Sequence, residues 1–170
     1  LVALSFVVAI LASYAAFLMS ERVHSSETTE SRIGWVVMGS LALGGGIWAM
    51  HFIGMLAFSL PIPFNFNVSG TLISIIPAIL ASFMVLTCKY NSHWGRSKLF
   101  ASSIILGSGI GSMHYIGMAA MDVQAEMRYE SKLFGFSIVV AVALSFLALR
   151  IKQWAQSDAV KTSSSKRGIY

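Results

Sequence analysis

Long apolar stretches alternate with short polar ones along this chain. The apolar runs occupy residues 1–19, 33–60, 71–88, 99–121 and 133–149. A helix rising about 1.5 Å per residue needs roughly 17–25 apolar residues to cross about 30 Å of hydrocarbon, and all five runs reach that length. The second is long enough to tilt or to be broken. Helices are the expected form, because an open sheet leaves backbone groups unpaired in lipid. Pro77 falls inside the third run, and Ser74 is near enough to satisfy the carbonyl that the proline frees. The pattern predicts an all-α membrane protein with about five transmembrane helices.

The helices repeat. Residues 9–14 read AILASY, 78–83 read AILASF and 141–146 read AVALSF. Residues 44–60 read GGGIWAMHFIGMLAFSL and residues 107–123 read GSGIGSMHYIGMAAMDV, with nine of seventeen positions identical at an offset of 63. The unit is a helical hairpin, in which an AILASF-type helix is followed by a polar loop and a glycine-rich helix ending in a Met–His phrase. The third hairpin is incomplete, since its first helix is followed by a basic polar stretch. The expected organisation is a transmembrane domain over residues 1–152 and a basic polar cytoplasmic tail over 153–170. The chain reads as a piece of a longer protein.

Composition agrees with a membrane class. Hydrophobic residues make up 56% and charged residues 11%, against about 25% charged in soluble domains. The charges are placed asymmetrically. The loops after the first and third runs, with the tail, hold Arg22, Arg32, Lys89, Arg96, Lys98, Arg150, Lys152, Lys161, Lys166 and Arg167. The other two loops hold only Arg128 and Lys132. Lys/Arg-rich loops stay in the cytoplasm, so the expectation is a multi-pass membrane protein with Leu1 outside and the tail inside. Both Met–His phrases then face outward. The single Cys88 excludes an intrachain disulfide and a cysteine-based zinc site. Nothing resembles a nucleotide loop or a nucleic-acid surface. The basic tail suits an anionic inner leaflet.

The repeated phrase is the candidate site. Met50, His51 and Met55 fall within about 140° of a helix, as do Met113, His114 and Met118. Imidazole with thioether suits copper, Cu(I) above all, and the nearby glycines let membrane helices approach. Tyr115, after the second histidine, is able to donate a hydrogen bond behind the ligands; Phe52, in the same place of the first copy, is not. Packing is the alternative for methionines in such helices, and an intramembrane histidine can simply pair with a neighbour. His24 and His93 are expected in solvent, and Cys88 as a small apolar residue. Asp122, Glu126 and Glu130 stand at helical spacing and suggest a wetted face. Asn67-Val68-Ser69 has the form of a glycosylation sequon.

Met113-His114-Tyr115-Ile116-Gly117-Met118 and Met50-His51-Phe52-Ile53-Gly54-Met55 resemble the MHYT family of bacterial integral-membrane sensor domains, and the likeness extends over most of residues 1–150, including Leu60-Pro61-Ile62-Pro63. The resemblance implies a non-enzymatic sensor that holds copper near the outer face and detects a diatomic gas (oxygen, carbon monoxide or nitric oxide). It also implies a cytoplasmic signalling output as partner. The family's Thr is Ile53 and Ile116 here, and neither can ligate. Two other readings stay open: a haem-binding electron-transfer protein with the two histidines as axial ligands, and a small transporter, against which no span carries an interior Asp, Glu, Lys or Arg.

Overall fold

The computed structural model describes residues 1–57, 64–87, 95–123 and 130–167. The expected positions Pro61–Pro63, Cys88, His93, Glu126 and Arg128 lie outside them. Six helices and two short strands follow in order: α1 Val2–Ser25, α2 Thr29–Leu56, β1 Phe64–Phe66, α3 Val68–Ile73, α4 Ile75–Thr87, α5 Arg96–Ala119, β2 Met121–Val123 and α6 Ser131–Arg167. Since α3 and α4 together form one span, the described residues contain five helical spans long and apolar enough to cross a membrane. The all-α membrane architecture expected from the sequence is therefore present.

Each helix packs on the next, α1 on α2, α2 on α4, α4 on α5 and α5 on α6. Helix α4 is the shared wall, because α2 and α5 touch each other far less than either touches α4. Glycines set the spacing. A Cβ on Gly44 would lie 2.6 Å from the Ile79 Cα, and one on Gly107 would lie 2.7 Å from the Val142 Cα. Ile79 and Val142 are equivalent positions of the AILASF repeat. Gly46 meets Ala12 and Gly109 meets Ala81 in the same manner, and Ala12 and Ala81 are again equivalent. Each glycine-rich helix is thus gripped by two AILASF-type helices through contacts that recur in the second copy.

Several boundaries differ from the expected ones. Helix α2 begins at Thr29, where the Thr28 side chain accepts from the Ser31 N–H, a cap that lies before the first apolar residue. It ends at Leu56, not at residue 60. Helix α5 ends at Ala119, and Asp122 lies on β2, paired with Asn65 of β1. The helical placement read for Asp122 does not hold, because the backbone turns extended at Met121, one residue earlier; Asp122 is nevertheless exposed, as a wetted position is. Glu130 is exposed just before α6. The stretch after residue 152, expected as a tail, continues α6 to Arg167. It contains no glycine or proline before Gly168 to stop a helix.

The third span breaks at Ser74 rather than bending at Pro77. The Ser74 hydroxyl donates to the Thr71 carbonyl at 2.6 Å, so it serves Thr71 and not the carbonyl that Pro77 frees. The Trp48 indole of α2 donates to the Thr71 carbonyl at 3.0 Å and to the Ser74 Oγ at 3.1 Å. This break is stitched to α2 one turn below the first Met–His phrase. Asn67 caps α3 by accepting from the Gly70 N–H.

The two ends of the bundle are tied differently. At the motif end, β1 and β2 form an antiparallel pair with Phe64 opposite Val123 and Phe66 opposite Met121, and the Asn67 N–H donates to the Ala120 carbonyl at 2.8 Å. At the other end the Lys152 ammonium of α6 donates to the Ser20 Oγ of α1 at 2.8 Å, and Arg22 lies over the Trp35 ring.

Candidate metal centre

The strand pair clamps the segments that follow the two phrases, and this brings the last turns of α2 and α5 side by side. His51 and His114 then face each other. The Nδ1 of His114 lies 3.2 Å from the Nε2 of His51, and the rings meet edge-on with centroids 4.8 Å apart. The sequence placed both at one depth; which nitrogens meet was not readable from it.

Donor chemistry tests whether this pair suits a metal. Two imidazole nitrogens about 2.0 Å from one ion and a tetrahedral angle apart are separated by about 3.3 Å. The observed 3.2 Å fits that edge. It is also hydrogen-bond length, so one neutral imidazole can donate to the other when no ion is bound.

The methionines divide. Met113 is 1% exposed and packs with Phe52 and Ala78, and Met55 lies against the same cluster with Trp48 and Phe66. Met50 and Met118 are half-buried. Phe52 is the centre of this packing, 5.0 Å from the Trp48 ring, 5.3 Å from His51 and 5.8 Å from Phe66. Its Cζ would lie 2.8 Å from a Cβ on Gly117, so Gly117 is the seat of the Phe52 ring. Gly54, the equivalent residue of the first copy, has nothing within 4 Å. Among the described residues no group of three or more His, Cys, Asp or Glu converges.

Tyr115 turns to α6. Its hydroxyl is 2.7 Å from the Ser137 Oγ, and Ser137 in turn donates to the Phe134 carbonyl at 2.8 Å. With that serine proton committed, the phenol is the donor. The ring rests 4.4 Å from Phe134 and 5.0 Å from His114. Ser137 was missed in the sequence because nothing in its own apolar surroundings marks it; the signal was Tyr115, whose hydroxyl in a membrane helix needs a partner. Replacing Tyr115 by Phe is expected to cost about 0.5–1.5 kcal/mol in detergent unfolding while keeping the ring contact. A double-mutant cycle with Ser137→Ala should recover a coupling of that size; additive losses would mean that the bond contributes nothing.

Comparison with known proteins finds the same doubled unit in the sequence. The family described as "bacterial signalling protein N terminal repeat", MHYT, matches residues 44–102 and again residues 107–164. The chain belongs to the MHYT family. The bifunctional diguanylate cyclase/cyclic di-GMP phosphodiesterase MucR of Pseudomonas aeruginosa is 44% identical over 153 residues, 89% of this chain and 22% of that protein. The cyclic di-GMP phosphodiesterase NbdA of the same organism is 40% identical, over 88% of this chain and 19% of its own length. The signaling protein YkoW of Bacillus subtilis is 36% identical, over 89% of this chain and 19% of its own length. The MHYT chain thus spans about a fifth of the length of these relatives. No solved structure matches it.

Proposed function

We propose that this MHYT region is the sensory part of a bacterial membrane signalling protein and holds copper between His51 and His114 to detect a diatomic gas or a redox change. The observation that carries the reading is the facing pair of imidazole nitrogens, one from each copy of the phrase, at 3.2 Å. The thioethers available from the same two phrases are those of Met50, Met55, Met113 and Met118, and soft sulfur favours Cu(I). Copper would supply the affinity for a gas or the change of oxidation state. The protein's own part is to hold two helices so that a change at the centre alters their relation.

The route outward is α6. Tyr115 links the motif helix to Ser137 on α6, and α6 has 37 residues, about 55 Å of helix at 1.5 Å per residue. That exceeds the hydrocarbon thickness, so one rigid element reaches from the motif end past the opposite face. We place that opposite, lysine- and arginine-rich end in the cytoplasm by the positive-inside rule. There it would bias an output of the kind named in the relatives, cyclic di-GMP synthesis or hydrolysis.

Haem is less well served. Axial imidazoles on opposite faces of one iron lie about 4 Å apart with the porphyrin between them, and the pair here is closer. Elemental analysis and an absorbance spectrum of protein expressed with copper test both readings. About one copper per chain without a Soret band is expected. Metal-free protein under those conditions would sink the copper reading, and a Soret band would restore haem.

A further inference from the structure

We propose that the groove between the start of α2 and the end of α4 binds one anionic phospholipid, with its phosphate on Arg32 and an acyl chain along Ile33, Val36 and Phe83. This goes beyond the metal reading and depends only on the chain's lying in a bilayer. The groove has a volume of about 240 Å³ and is lined by Thr29, Arg32, Ile33, Val36, Phe83 and Thr87. That is below the roughly 300–1,000 Å³ of pockets for compact small molecules, and suits a length of chain.

Its polarity is graded. The floor is Val36, which packs with Val23 and Leu86, and the walls are Ile33 and Phe83. The polar lining residues are Arg32 and the two threonines, and the threonines stand at helix ends: Thr29 opens α2 and Thr87 closes α4. His51 lies 22 residues along α2, about 33 Å at 1.5 Å per residue. The groove is therefore one membrane thickness from the motif, at headgroup height. Apolar surface within and a cation at the rim match the profile of a phospholipid.

Arg32 has the right chemistry and, among the described residues, no side-chain partner. Among the described residues no carboxylate pairs with its guanidinium. Glu30, two positions earlier, points about 160° away round the helix. Arg22, near the end of α1, lies over the Trp35 ring. A guanidinium takes a phosphate with two parallel N–H bonds, and an anionic headgroup adds no competing cation beside it as choline would.

Native mass spectrometry of the protein released from nanodiscs of phosphatidylglycerol and phosphatidylcholine reads the site. Wild type is expected to retain one phosphatidylglycerol. Arg32→Gln should lower that retention at least tenfold while its phosphatidylcholine adducts stay unchanged, which shows that fold and annular lipid are intact. Arg22→Gln should retain the lipid. Equal retention of both lipids by wild type overturns the proposal, as does undiminished phosphatidylglycerol in Arg32→Gln or an equal loss in Arg22→Gln. A prenyl quinone recovered in place of the lipid would also overturn it.

Discussion

Protein carrying His51→Ala and His114→Ala together is expected to purify without copper under conditions that load the wild type. The two nitrogens face each other at 3.2 Å, so removing both deletes the nitrogen donors of the proposed centre. Each single substitution should weaken binding by more than the roughly 10–100-fold that loss of a residue behind the ligands costs. The stability loss should stay limited, since the pair contributes one hydrogen bond of about 0.5–1.5 kcal/mol and edge-on ring contacts to Phe52 and Tyr115. A loss of copper without a matching loss of helix content by circular dichroism separates ligation from packing. Met113→Leu serves as the companion. Met113 is buried against Phe52 and Ala78, and a leucine of similar volume there costs less than about 1.5 kcal/mol. If its sulfur is a donor, affinity for copper falls while the unfolding midpoint hardly shifts. Equal copper in wild type and the double histidine variant would end the metal proposal.

Gly44→Leu and Gly107→Leu are expected to destabilise the bundle by about 1–3 kcal/mol or more each, read as loss of resistance to SDS unfolding. Both glycines meet backbone, Ile79 for the first and Val142 for the second, so no side-chain rotation relieves the clash and the helices must separate. Gly45, adjacent to Gly44, has nothing within 4 Å. Gly45→Ala should therefore be neutral or gain up to about 1 kcal/mol from helix propensity. Opposite outcomes at neighbouring glycines of one run distinguish close approach from backbone flexibility. If Gly45→Ala and Gly44→Leu lose stability alike, helix spacing is not what these glycines provide.

The spans, the hairpin repeat and the doubled phrase were all legible, because each is written in periodic or repeated residues that a membrane makes obligatory. The strands were not. Phe64–Phe66 and Met121–Val123 are three residues each, too short to show alternation, and their pairing depends on where α2 and α5 end. Helix ends were misjudged wherever apolarity was taken as the limit: Thr28 caps α2 before the apolar run starts, and α6 runs on through polar residues that include no glycine or proline to stop it. In the candidate site, residue identity was legible and orientation was not. Adjacent positions on a helix point about 100° apart, so His114 can face His51 while Met113 sits among the aromatics and Tyr115 reaches α6.

The glycine contacts bear on how such a domain can grow. Two kinds of interface occur, one within a hairpin, where Gly46 meets Ala12 and Gly109 meets Ala81, and one between hairpins, where Gly44 meets Ile79 and Gly107 meets Val142. Each is used twice with equivalent residues. A duplicated hairpin therefore needs no new surface in order to dock, since its ancestor already carries both halves of the joint. In evolutionary terms the unit is ready for accretion, and α4, held on both flanks, has little freedom to drift: Ala78 and Ala81 are 1% and 5% exposed, and neither has room to become anything larger.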